Sequence, residues 1–162
     1  MPWKRPNTNR GCNGMENPEM TFMTMFMVYG EPVGKGRPRF AKRGNFVSTY
    51  TPQKTKTYED EIRMMAKAAM GSSEPLDTPV TVAIYIRVGI PTSFSKQKRK
   101  DALEGIIKPT KKPDIDNVAK CHLDAIQGGI IILDDKQVTN LHVTKVYAET
   151  PAVEVMVKED LG

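Results

Sequence analysis

Cysteine and histidine are scarce in this chain of 162 residues: Cys12, Cys121, His122 and His142 are the whole supply. Two cysteines cannot build a disulfide framework, and these four residues offer no Cys/His zinc spacing. No apolar run approaches the roughly 18 residues that a membrane helix needs. The longest, Phe22 to Tyr29, is interrupted by Thr24 and suits a strand. The opening Met-Pro-Trp-Lys-Arg-Pro-Asn lacks the apolar core of a signal peptide, so a cytoplasmic protein is expected. Cys121 reads as a small buried residue.

Positive charge is present, and it is concentrated. The chain has 24 Lys and Arg against 19 Asp and Glu, a net +5. Residues 35–43 hold Lys35, Arg37, Arg39, Lys42 and Arg43 with no acid. Residues 96–112 hold Lys96, Lys98, Arg99, Lys100, Lys108, Lys111 and Lys112 against Asp101 and Glu104. These 26 residues sum to +10 and the other 136 to −5. Two basic segments on an otherwise acidic chain suggest a polyanionic partner; solvated Lys/Arg faces are the plainer alternative.

The length suits one domain with a sizeable core. Residues 1–20, rich in Asn, Pro and Gly and without periodicity, read as a flexible tail, leaving 21–162 as the domain. Strands are expected near 21–29, 80–90, 137–147 and 153–157, with Pro151 suggesting a hairpin between the last two. Helices are expected near 52–70, 95–104 and 116–127. In the first, Tyr58, Ile62, Met65, Ala66 and Ala69 recur at helical spacing and are assigned to the core. Ser95 and Asp116 are the expected N-caps of the other two, and Gly105 and Gly128-Gly129 their stops. The segment 34–40 reads as a basic loop or irregular strand. Its Gly-Lys-Gly lacks the spacing and the Ser/Thr of a phosphate-binding P-loop. The class is α+β, a single small domain with a mixed sheet and about three helices.

The chemistry concentrates in Lys111-Lys112-Pro113-Asp114-Ile115-Asp116-Asn117-Val118-Ala119-Lys120, followed by Asp124 and Asp134-Asp135. Asp116, Lys120, Asp124 and Gln127 form one polar stripe of a helix, and Val118, Cys121, His122 and Ala125 an adjacent stripe that can face a core. Asp114 and Asp116, two apart in an extended entry, point the same way. Ile130 to Leu133 provides a reversal that can return Asp134-Asp135 beside them. Carboxylates gathered closely raise one another's pKa, and a hard divalent cation with oxygen ligands relieves the repulsion. Mg2+, which keeps waters and favours phosphate as co-ligand, suits such a sparse set, with Mn2+ as a substitute. Lys120, one turn from Asp116, is placed to neutralise charge on a phosphoryl transition state. The same residues also read as a helix cap with an i,i+4 salt bridge and an ordinary acidic turn. No EF-hand loop is present, since its further oxygen ligands and late Glu are missing.

Lys-Pro-Asp-Ile-Asp-Asn-Val-Ala-Lys at 112–120, with Asp124 and Asp134-Asp135 following, resembles the signature of the RusA family of Holliday-junction resolvases, found in phages and prophages. Gly30-Glu31-Pro32-Val33-Gly34-Lys35-Gly36-Arg37-Pro38-Arg39 resembles the family's opening after its first strand, so the likeness covers about residues 21–158. The resemblance implies a RusA-like fold and a Mg2+-dependent endonuclease acting in DNA recombination and repair. It would nick a four-way junction symmetrically and leave 5′-phosphate and 3′-hydroxyl ends. It implies that Asp114, Asp116 and Asp135 bind the metal and are catalytic, that Lys120 is the essential lysine, and that Asp134 and Asp124 rank second, Asp134 as a further ligand. It implies a homodimer, which matches the two-fold symmetry of a four-way junction, and no organic cofactor. Lys35, Arg37, Arg39, Lys96, Lys98, Arg99, Lys100, Lys111 and Lys112 would line the DNA-binding surface. The alternatives are a branched-DNA-binding protein without catalysis and a nuclease of flaps or forks.

Overall fold

The computed structural model describes residues 21–36, 39–50 and 52–162. The expected tail at 1–20, with Arg37, Pro38 and Thr51, lies outside them. Ten elements follow: β1 Met23–Tyr29, β2 Arg39–Arg43, β3 Phe46–Tyr50, α1 Gln53–Met70, β4 Val80–Gly89, α2 Lys96–Leu103, α3 Ile115–Ile126, a 3-10 turn Asp135–Gln137, β5 Val138–Ala148 and β6 Ala152–Glu159.

Four strands form a mixed sheet in the order β1-β6-β4-β5. β6 runs antiparallel to both β1 and β4, and β4 pairs in parallel with β5. The expected β5–β6 hairpin is therefore replaced: β4 stands between these two strands. The β-branched run of β4 pairs with both strands, parallel with β5 and antiparallel with β6, and so takes the place between them. A parallel β4–β5 pair needs a long crossover. This crossover contains α2, α3 and the 3-10 turn, so every acidic residue singled out above lies on it.

Alternation makes the core. Val80, Val82, Ile84 and Ile86 of β4 meet Val153, Val155 and Val157 of β6 and Phe26 and Val28 of β1 on the face covered by helices. Onto it α1 packs Tyr58, Ile62, Ala66 and Met70, and α3 packs Val118, Ala119, Cys121, Ala125 and Ile126. Met65 and Ala69, assigned above to the core, are exposed. The buried stripe of α1 instead follows Thr55, Tyr58, Glu59, Ile62, Ala66 and Met70. The opposite sheet face leaves Met25, Tyr29 and Tyr85 exposed. β2 and β3 form a separate two-stranded antiparallel hairpin that begins at the end of the segment 34–40, expected to be a basic loop or irregular strand, and continues through residues given no strand from the sequence. It exposes Phe40, Phe46 and Val47 beside Arg39 and Lys42. Among the described residues no helix is long and apolar enough to cross a membrane.

Candidate active site

The site is built around α3. Its N-cap is Asp114, with φ −72° and ψ 138°, two residues ahead of the expected Asp116. The first helical bond runs from Val118 N–H to Asp114 O at 3.1 Å. The Asp114 carboxylate makes no capping bond to the backbone, so its oxygens stay available. Asn117 Nδ2 donates to Asp114 Oδ2 at 3.4 Å. Asp116 is exposed in the first turn and, among the described residues, forms no ion pair. A role as helix cap therefore does not account for either carboxylate.

Two other segments fasten the entry to α3. Lys145 Nζ on β5 donates to Lys111 O and Pro113 O, both at 2.9 Å. Lys35 N–H donates to Asn117 O at 2.9 Å. Gly34 suits this close approach, because a Cβ there would stand 3.0 Å from Asn117 Cβ, tighter than ordinary packing. Between the 32–36 loop and the α3 entry lies a cavity of about 600 Å³ whose lining includes Lys35, Lys54, Lys112, Asp114 and Asn117. Exposed lysines at 54 and 112 beside Asp114 suit a phosphate chain that reaches a carboxylate.

After α3 the chain reverses as expected. Gly128 and Gly129 take φ of 73° and 88°, which a Cβ would oppose. Ile131 and Ile132 enter the core, and Ile131 O accepts from Leu76 N–H at 2.7 Å. The following turn is capped reciprocally: Asp134 Oδ1 accepts from Lys136 N–H at 2.9 Å, and Gln137 Oε1 accepts from Asp134 N–H at 2.9 Å. That bond from the Lys136 backbone holds the Asp134 carboxyl below the usual range. Gln127 Oε1 accepts from Asp135 N–H at 3.2 Å, tying the turn to the end of α3.

Lys120 joins the pieces. Its Nζ lies 2.9 Å from Asp124 Oδ1 and 3.4 Å from Asp135 Oδ2. The bond to Asp124 raises the Lys120 pKa despite partial burial, so the ammonium is charged at neutral pH. Burial alone would raise the Asp124 carboxyl; bonds from Lys35 and Lys120 outweigh it and hold the group below its ordinary value. Asp116, Lys120 and Asp124, at i, i+4 and i+8, share one helix face, and Asp135 meets that face at Lys120.

The structure thus brings Asp135 back to the helix through Lys120 and leaves Asp114 and Asp116 at its exposed start. Among the described residues, no three His, Cys, Asp or Glu side chains are gathered closely enough to hold a metal ion. The donor chemistry suits a hard cation all the same. Among the described residues, Asp114 and Asp116 are exposed carboxylates without an ion pair, and Asp135 lies 3.4 Å from the Lys120 ammonium. Of the basic residues, Lys96, Lys98, Arg99 and Lys100 on α2 are exposed, as are Arg39, Lys111 and Lys112. Lys98 Nζ lies 5.3 Å from the centre of the Phe94 ring, a cation–π contact that holds its stem over an apolar surface. Arg37 lies outside the described residues.

Glu59 and Lys145 are absent from the sequence-based site set. Glu59 sits on the buried stripe of α1 and ion-pairs with Lys35 at 3.4 Å. The signal available for it was an acid at a core-facing helical position.

The family model of endodeoxyribonuclease RusA matches residues 29–158, a span that includes β1's end, the whole crossover and most of β6. An uncharacterized protein of Bacillus subtilis (strain 168), YqaN, is 39% identical over 137 residues, covering 83% of this chain and 94% of that protein. The family match takes in both the Gly34–Gly36 loop and the carboxylates it is fastened to, and the chain belongs to the RusA endodeoxyribonuclease family.

Proposed function

We propose that this protein is a Mg2+-dependent endonuclease that resolves four-way DNA junctions by paired symmetric nicks and works as a homodimer. The observation that carries the reading is the placement of Lys120 Nζ, 2.9 Å from Asp124 and 3.4 Å from Asp135, on the helix face that begins with Asp116. Asp114, Asp116 and Asp135 would hold the cation, with Asp134 beside them and Mn2+ as a substitute. A divalent cation held by these carboxylates would supply activation of a water and would offset charge on the leaving oxygen.

The chain's own residues do the rest. Lys120, kept charged by Asp124, faces the phosphate where negative charge builds in the transition state. Lys54 and Lys112 guide the backbone into the cleft beside Asp114. The exposed cations of α2 extend the contact along a duplex arm. Support for the dimer comes from the open sheet face, where exposed Met25, Tyr29 and Tyr85 flank the Arg87–Glu154 ion pair, a mixed apolar and charged surface suited to self-association.

The test is cleavage of a synthetic four-way junction in Mg2+ or Mn2+, beside flap, fork and linear duplex. Paired nicks on opposite strands that vanish in Asp116→Asn are expected. Binding without cleavage in either metal would make the protein a branched-DNA binder. Equal rates on flaps or forks would remove the junction preference.

A further inference from the structure

Six side chains of alternating charge run in an unbroken line from α1 across the site. Arg63 Nη2 lies 3.6 Å from Glu59 Oε2, and Glu59 Oε1 lies 3.4 Å from Lys35 Nζ. Lys35 Nζ also bonds Asp124 Oδ2, and the other oxygen of Asp124 bonds Lys120, which reaches Asp135. The two central acids are the most buried members, with side chains 11% exposed at Glu59 and 12% at Asp124. Each oxygen of Asp124 thus belongs to a different lysine.

Lys35 is fastened twice. Its backbone N–H holds the first turn of α3 through Asn117 O, and its ammonium holds Asp124 about two turns further along. Two part-buried acids engage the Lys35 head, which leaves at most one of its three N–H donors for a phosphate chain in the cleft that it lines. From the sequence, Lys35 is expected among the DNA contacts. The geometry points instead to a positioning residue: Lys35 fixes Asp124, so that Asp124 in turn holds Lys120 Nζ against Asp135.

The physical reason is local charge balance. Without the Lys35 cation, Glu59 keeps only Arg63, and Asp124 and Asp135 are left to share Lys120, three acids on two cations. Lys120 is the nearest remaining cation to Asp124, so both Asp124 oxygens compete for it and draw it from Asp135. This inference rests on the nuclease reading, in which Lys120 meets the scissile phosphate.

The experiment compares the full chain with Lys35→Met, measuring single-turnover cleavage of a four-way junction and the Kd for that junction across a salt series. The cleavage rate is expected to fall by about 10-fold to 100-fold, as for a catalytic group displaced by an ångström or less. Kd and its salt slope are expected to stay unchanged, and Lys35→Arg, which restores a cation, to recover much of the rate. A weaker Kd with a slope reduced by about one, and an unchanged rate, would make Lys35 a phosphate contact and overturn the assignment. Unchanged rate and Kd would overturn it as well. If Lys35→Met does not fold, Lys35→Met/Glu59→Gln removes one cation together with one acid, and the same loss of rate is expected. Absence of cleavage by the unsubstituted chain would sink the nuclease reading and this assignment together, whereas either overturning result beside active unsubstituted chain sinks this assignment alone.

Discussion

His122 offers the most quantitative prediction, because the helix that carries the site packs it wholly inside. Its side chain is 0% exposed. Nδ1 lies 2.8 Å from Val118 O and donates to it, Nε2 has no hydrogen-bond partner among the described residues, and the ring meets Tyr58 edge-on at 5.6 Å. Burial lowers the pKa from 6.5 to about 4, with the Val118 carbonyl opposing part of the change. In the unfolded chain His122 takes up its proton near 6.5, whereas in the folded chain it resists until about 4. Between these values the unfolded state binds more protons, so stability rises with pH there. The contribution is fully present above pH 6.5 and is lost as the pH falls to about 4. At about 1.4 kcal/mol per pH unit, the loss is about 3 kcal/mol. Urea unfolding of the unsubstituted chain and of His122→Gln from pH 7.5 to 4 isolates it. The variant is less stable at neutral pH because it loses ring packing, yet its stability should decline less on acidification, by that same amount. Depressed carboxyls such as Asp124 titrate in both proteins and cancel in the difference. Parallel stability profiles would refute the reasoning.

Three further outcomes follow from the same contacts. Gly34→Val places a Cβ 3.0 Å from Asn117 Cβ and pushes the loop off α3, so junction cleavage should fall at least tenfold while circular dichroism keeps the native spectrum. Ile62→Ala, at a site 0% exposed between α1 and the sheet, should cost about 2–5 kcal/mol in urea unfolding, with an unchanged m-value. Lys98→Ala/Arg99→Ala on the exposed face of α2 should weaken binding to junction and duplex alike and lower the salt slope by about two, read by fluorescence anisotropy.

Much of the fold was legible because its cues are local. The β-branched run of β4 and the Val-Glu-Val-Met-Val alternation of β6 announce strands, and Ser95 caps α2 as expected, its Oγ accepting from Lys98 N–H at 3.3 Å. The apolar stripe of α3, Val118, Cys121, His122 and Ala125, falls where periodicity puts it, while the expected polar stripe stops at Asp124, because Gln127 is the extended C-cap. What local pattern cannot fix is which strand lies beside which. Pro151 marks a turn between β5 and β6 correctly, but β4 returns from far along the chain to occupy the place between them. The β2–β3 hairpin carried a usable signal in Gly44-Asn45, with Gly44 at φ 62°, flanked by Arg39–Arg43 and Phe46–Tyr50.

The site divides in the same way. Asp114, Asp116, Lys120 and Asp135 belong to one crossover, and the Gly128-Gly129 reversal is enough to bring Asp135 to Lys120, while Asp114 and Asp116 stay at the exposed start of α3. The ties between Lys35, Glu59 and Asp124 join residues far apart in sequence, and only the packing of α1 against α3 brings them together. Lys145 is similar: a strand lysine becomes a strut because β5 runs past the entry of α3.

The central claim is that this carboxylate and lysine arrangement cuts both strands of a branched DNA within one encounter. A supercoiled plasmid that extrudes a cruciform tests it most directly, in Mg2+ with enzyme in excess. Linear plasmid is expected to form without accumulation of nicked circles, and Asp116→Asn to give neither product. Nicked circles alone would contradict paired cutting, and intact supercoiled plasmid with bound protein would contradict the nuclease itself.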